Sequence, residues 1–249
     1  MADIRIDTAD GIATITIARP DKKNSITDPM YAALADALDA FAVDPAVRVA
    51  LIAGEGPDFC AGNDISMFAA AAGGDPAASM ANVRRFLAAI STFPKPLVAA
   101  VTGRAIGIGT TMLLHCDLVY LAEDAALLMP FVDLGLVPEA GSSRLLPMRI
   151  GHARAFALVA LGEPVSGADA VVLGLGNAAL PADDVLPAAQ SAARKLAAKP
   201  SAALIATKAL MRDADGIRAA IDTDTAAFVE RLSSPEAATA FAAFAARKS

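Results

Sequence analysis

A single glutamate and two glycine-bearing loops hold the chemical potential of this chain. The glutamate lies in Val137-Pro138-Glu139-Ala140-Gly141-Ser142-Ser143. The loops lie upstream, at Cys60-Ala61-Gly62-Asn63-Asp64 and Gly103-Arg104-Ala105-Ile106-Gly107-Ile108-Gly109. Glycines leave backbone N–H groups unobstructed, and a carboxylate among apolar neighbours is a candidate base. A base beside a pair of backbone donors suits removal of a proton next to a carbonyl, because the donors can hold the oxyanion that forms. Three unrelated turns would give the same residues, since Gly and Pro punctuate every fold.

The amides can be assigned from the reading along the chain. A strand ends before Gly62 and a helix is expected to begin at Asn63, so the Asn63 N–H becomes a helix-start donor with a positive dipole behind it. The segment Gly107-Ile108-Gly109 repeats this arrangement after the next strand and offers the N–H of Ile108, whose side chain can face the core. Two plain helix starts are the alternative. Glu139 sits among Leu134, Leu136, Val137 and Ala140, where burial would raise its pKa towards neutrality. Its other role would be that of a helix N-terminal acid ahead of Ser142 and Ser143. Asp64 could cap the helix that follows it, and Asp133 is the other nearby acid.

Those residues need a scaffold, and composition sets its class. The chain has 249 residues, 55% of them hydrophobic and 19% charged, enough for one ordered domain with or without an appendage. No apolar run reaches the length of a membrane span, and Met1-Ala2-Asp3-Ile4-Arg5 carries no signal-peptide pattern. A net charge of −6 argues against a nucleic-acid surface. It leaves room for a phosphorylated small ligand held by local cations such as Arg19, Lys22 and Lys23, which could equally be a solvated turn. The two cysteines, Cys60 and Cys116, form no disulfide framework and fit a reducing cytoplasm. Neither cysteine, nor His115 or His152, falls in a metal-ligand spacing, so the histidines read as helix or surface residues and no metal is expected. The apolar surplus points to a homo-oligomer.

Periodicity gives the elements. Alternation around Asp10-Gly11 predicts a hairpin ending at Ile17, and residues 47–53 and 97–101 read as apolar strands. A helix is expected from about Pro29, where Met30, Leu34, Leu38 and Phe41 share a face. Residues 69–76 read as a mobile loop, 77–92 as a helix, and 117–122 as another strand. Beyond Gly141 helices dominate: 145–161, 167–173, 186–199, 201–211 and 217–247, the last kinked or split at Pro235. The expected architecture is an α/β core of stacked ββα-like units over residues 1–190, with a helical segment at 191–249.

Along essentially its whole length the chain resembles the crotonase (enoyl-CoA hydratase/isomerase) superfamily. The resemblance rests on Asp58 to Asp64, on Gly103 to Gly109 followed by Cys116-Asp117, and on Pro130 to Gly141 followed by Arg144-Leu145 and Gly151. It implies a crotonase-like spiral of ββα units and a C-terminal helical region that serves oligomerisation and covers the active site, in trimers or hexamers. It also implies a bent acyl-CoA whose thioester oxygen meets the N–H groups of Asn63 and Ile108. Coenzyme A is then part of the substrate, with no prosthetic group. Its adenine would lie near Ala61, Gly62, Asn63, Asp64 and Ile65, its phosphates near Lys22 or Lys23, and the acyl tail near Met67, Phe68 and Phe131.

Within this superfamily the hydratases handle water with two glutamates, whose motif positions fall here at Thr111 and Phe131. Neither side chain can be a carboxylate acid or base. Glu139 instead matches the single glutamate of peroxisomal-type Δ3,Δ2-enoyl-CoA isomerases, and Arg19-Pro20-Asp21-Lys22-Lys23-Asn24-Ser25 resembles the same subgroup. The chain ends Arg247-Lys248-Ser249, not in a peroxisomal tail. The resemblance therefore implies a cytoplasmic 3-enoyl-CoA isomerase with Glu139 as sole base. A hydratase using Asp133, a thioesterase or other enolate chemistry of the same superfamily, and a non-catalytic acyl-CoA-binding protein are the alternatives.

Overall fold

The computed structural model describes residues 2–64, 67 and 79–246. Its strands are β1 (Ile4–Ala9), β2 (Ile12–Ile17), β3 (Val49–Gly54), β4 (Leu97–Val101), β5 (Arg104–Ile106), β6 (Leu118–Ala122), β7 (Ala126–Leu128), β8 (Val165–Ser166) and β9 (Ala178–Leu180). The larger sheet has the order β1-β2-β3-β4-β6-β9, and the smaller β5-β7-β8. Only the β1–β2 hairpin is antiparallel in the larger sheet; β2 through β9 run parallel. Parallel strands covered on both faces read as unbroken apolar runs, and every residue of β4 is buried, as are the first five of β3.

The chain winds between the two sheets. β4 feeds β5 and then the short helix α3 (Ile108–Thr111); α1 (Asp28–Val43) and α2 (Ala81–Thr92) precede it. β6 feeds β7 and then a 3-10 turn at Val132–Leu134. After β3, Cys60 bridges Ala105 of β5, so this first unit follows the same path. This is the expected spiral of ββα units. α1 packs along α2, where the rings of Tyr31 and Phe86 lie 5.5 Å apart.

The helical half comprises α4 (Ser142–Ile150), α5 (His152–Ala160), α6 (Gly167–Leu173), α7 (Ala182–Ala197), α8 (Ser201–Met211), α9 (Ala214–Leu232) and α10 (Pro235–Ala246). The single helix expected at 145–161 is two, because Gly151 turns the chain at φ +81°. The split ahead of Pro235 is as expected, since proline has no N–H to continue a helix. The expected boundary after residue 190 falls inside α7, which packs on β3, β4 and β6 and so belongs to the spiral core. The strands β5, β7, β8 and β9 have at most three residues, too few to show a period; their neighbours hold them in place. The loop expected at 69–76, and Ile65 and Phe68, lie outside the described residues.

Candidate functional site

Two loops cross beside the start of α3. The Cys60 N–H donates to the Arg104 carbonyl at 2.9 Å, and the Ile106 N–H donates back to the Cys60 carbonyl at 2.9 Å. Gly109 is required by this crossing, because a Cβ there would stand 2.5 Å from the Cys60 carbonyl oxygen. Gly107, at φ +56°, turns the chain so that the Thr110 and Thr111 N–H groups close on its carbonyl, at 2.9 Å each. The N–H of Ile108, the first residue of the helix, has no acceptor among the described residues, and its side chain is buried in the core.

Asn63 reaches a similar state by another route. No helix starts at Asn63 itself; the residue forms a parallel bridge with Ile26. The Ile26 N–H donates to Gly62 and the Asp64 N–H donates to Ile26, both at 2.8 Å, which turns the amide of Asn63 away from this bridge. That amide also has no acceptor among the described residues. Pairing with Ile26 therefore orients this donor. The Tyr31 hydroxyl donates to the Asn63 side-chain oxygen and fixes the loop from α1.

Glu139 is buried, and the Thr111 hydroxyl donates to its Oε1 at 2.5 Å. Its Oε2 has no partner among the described residues. Burial raises the carboxyl pKa to about 7; the Thr111 hydrogen bond opposes that rise and the Asp224 charge adds to it. The Glu139 charge also reaches Tyr31 and Cys60, so base, tyrosine and crossed loops share one electrostatic environment. Burial keeps the Tyr31 phenol well above its usual range, and pushes the Cys60 thiol up to about 12, so both stay neutral. Glu139 is thus a carboxylate poised near neutral pH, joined through Thr111 to the short helix whose first amide, that of Ile108, has no acceptor among the described residues.

The remaining sequence-predicted residues divide. Lys22 and Lys23 are exposed, and the Lys23 carbonyl accepts from the Ala61 N–H at 3.0 Å, which brings their turn beside the 60–64 loop. Arg19 is engaged elsewhere, its guanidinium 2.6 Å from the Asp64 carboxylate. That ion pair, together with Ser25, ties Asp64 to the distant turn at residues 19–25. Asn24 pins the same turn from within, donating to the Glu55 and Asp58 carbonyls at 2.9 and 2.6 Å. Asp133 is exposed, with its carboxylate turned against Gly162. Phe131 is buried and Met67 half-buried against the core.

The enoyl-CoA hydratase/isomerase family description matches residues 7–249. The chain belongs to that family. The solved structure of Pseudomonas aeruginosa OdaA is similar to it with a TM-score of 0.91 and 44% identity, over 98% of this chain and 99% of that one. A probable enoyl-CoA hydratase of Bacillus subtilis is 35% identical over 76% of this chain and 73% of its own length. The enoyl-CoA delta isomerase 2 of Rattus norvegicus is 37% identical over 72% of this chain and 46% of its own length. The protein is thus a crotonase-family enzyme of acyl-CoA thioesters. Among the described residues, no helix is long and apolar enough to cross a membrane.

Several residues that build this crotonase-family site escape a linear reading. Tyr31 looks like one more apolar-face residue of α1, and Thr111, singled out only as a position without a carboxylate, gives no sign that it would hold Glu139. His115, expected as a helix or surface residue, is buried beneath the turn that carries Glu139. Asp224 reaches the same turn from α9, accepting from the Ser143 hydroxyl. Its only sequence signal is an acid on the inner face of a helix. A cleft of about 510 Å³ opens beyond His115, lined by Arg149, Lys208 and Arg212 among others, and Glu139 does not line it.

Proposed function

We propose that this enzyme moves a double bond from the 3- to the 2-position of an acyl-CoA. The observation that carries the reading is Glu139: a buried carboxylate held by Thr111, with its pKa raised by burial to about 7. The carboxylate removes a proton from C2. The electrons delocalise onto the thioester oxygen, which the N–H groups of Asn63 and Ile108 stabilise. As the carbonyl re-forms, C2 bonds doubly to C3, and the old C3–C4 double bond takes the proton back from Glu139 at C4. One base suffices because it gives back what it took and no water enters. Each donor is worth about 3 kcal/mol in such a site.

The nearby acids favour this over hydration. Asp64 is paired with Arg19, and Asp133 is exposed against Gly162. Thr111 and Phe131 hold no charge where the family's hydratases place glutamates. Coenzyme A would run along residues 61–65, with Lys22 and Lys23 beside its phosphates. Exposed Phe156, Leu210 and Met211 support assembly of a homo-oligomer. The reading is tested by assaying 3-hexenoyl-CoA and 2-hexenoyl-CoA side by side, with Glu139→Gln as control. Conversion of the 3-enoyl substrate that vanishes in the variant supports it; hydration of the 2-enoyl substrate as the main activity overturns it.

A further inference from the structure

The residues 108–115 form one continuous helical run, α3 followed by a 3-10 turn at Met112–His115. Its first amide is the Ile108 donor, and Thr111 holds the Glu139 carboxylate. At its far end the His115 Nε2 lies 2.8 Å from the carbonyl oxygen of Ala140, the residue after Glu139. Ala140 is fully buried at φ +60°, a left-handed conformation that alanine rarely adopts, and Gly141 follows at φ +69°. This turn holds its shape only while its polar groups are satisfied. Glu139's own carbonyl accepts from the Ser142 N–H and hydroxyl, and Ala140's carbonyl accepts from His115.

The histidine's tautomer is set from its other side. Arg212, just after α8, donates through Nη1 to the His115 carbonyl at 3.1 Å, and its Nη2 stands 3.3 Å from Nδ1. A guanidinium can only donate, so Nδ1 accepts and the ring proton sits on Nε2, aimed at Ala140. Burial, with the charges of Arg212, Arg149 and Lys208, lowers the His115 pKa to about 3, so the ring stays neutral throughout the working range.

We propose that His115, set by Arg212, is a positioning residue that fixes the Glu139 turn at a constant offset from the Ile108 donor. The proposal rests on Glu139 acting as the base. Because donor, carboxylate partner and turn anchor share one eight-residue run, a shift of the turn would misplace the base relative to the bound oxygen. Among the described residues, the charged or titratable groups facing Glu139 from its other neighbours are Tyr31 of α1, Cys60 of the crossed loops and Asp224 of α9.

The test compares His115→Leu and His115→Gln by kcat, KM and pH profile on 3-hexenoyl-CoA, with CoA affinity and thermal melting measured alongside. His115→Leu should lower kcat on the order of 10²-fold, with KM and CoA affinity nearly unchanged and the ascending pH limb displaced. Glutamine can donate to Ala140 while accepting from Arg212, so His115→Gln should recover most of the lost rate. A folded His115→Leu with unchanged kcat and pH limb, or a His115→Gln no faster than His115→Leu, overturns the proposal. Should His115→Leu fail to fold, His115→Gln and Arg212→Leu carry the same comparison. If the wild-type enzyme does not convert 3-hexenoyl-CoA, the functional reading has failed separately. The Glu139 carboxyl is then titrated by 13C NMR, and an unchanged titration in His115→Leu overturns the positioning role.

Discussion

The donor half and the base half of this site are built by opposite means. The crossed loops at 60–63 and 104–109 are backbone structures: reciprocal carbonyl–amide bonds lace them, and a glycine lets them touch. The turn at 138–143 is held by side chains from distant elements: Thr111 and His115 on one side, Asp224 on the other. Donor geometry is therefore set chiefly by backbone bonds, with the Tyr31–Asn63 side-chain bond as an added tie, and is vulnerable to bulk at Gly109. Base geometry is the reverse, adjustable one side chain at a time.

The largest effect should come from the base. Glu139→Gln is expected to lower turnover about 10⁴-fold while CoA affinity stays near wild type, measured by steady-state assay and calorimetry. In the wild-type enzyme, kcat/KM should rise with pH through an ascending limb near 7, where burial sets the Glu139 carboxyl, because only the ionised form accepts a proton. The same substitution should act oppositely on stability. A carboxyl raised from 4.5 to about 7 favours the fold fully below pH 4.5 and loses that advantage as pH rises through 7. Urea melts should thus show Glu139→Gln gaining on wild type above pH 7, by up to about 3 kcal/mol, and not below pH 4.5.

Gly109→Ala breaks the other half. Its new methyl would press on the Cys60 carbonyl and backbone, so the loops must part, with a rate loss of about 10²- to 10³-fold. The pH limb should stay in place, because the base is untouched; a moved limb would show that the halves are not separate. Thr111→Val sharpens the contrast from the base side. Removing a hydrogen bond that lowers the Glu139 pKa should move the ascending limb above 7, with roughly a tenfold loss of rate at pH 7. The smallest effect is expected from Lys22→Ala and Lys23→Ala. Exposed cations should change KM for the CoA substrate only about two- to threefold each, and less at high salt.

That division also explains what could be read from the chain alone. Glycine spacing pointed to Asn63 and Ile108, whose amides have no acceptor among the described residues, although the crossing that sets them joins distant segments. The pairing of Asn63 with Ile26, 37 residues earlier by number, was not readable from that spacing. Glu139 was legible as an acid in an apolar setting, and the parallel core as runs of Val, Leu, Ile and Ala. The groups that orient the base were not. His115 lies 25 residues from Ala140, and the Asp224 carboxylate 81 from Ser143. No periodicity links such pairs, since tertiary packing alone brings them together. Very short strands and the break at Gly151 were hidden for a related reason, because few residues leave little pattern.

The proposed isomerisation needs one base that carries one proton between two carbons. The measurement that meets this directly uses 3-hexenoyl-CoA deuterated at C2, with the product examined early in turnover by NMR. Label found at C4 of the 2-enoyl product, and no product formed by Glu139→Gln, is the predicted result. Product carrying only solvent hydrogen at C4, formed equally well by Glu139→Gln, would contradict it.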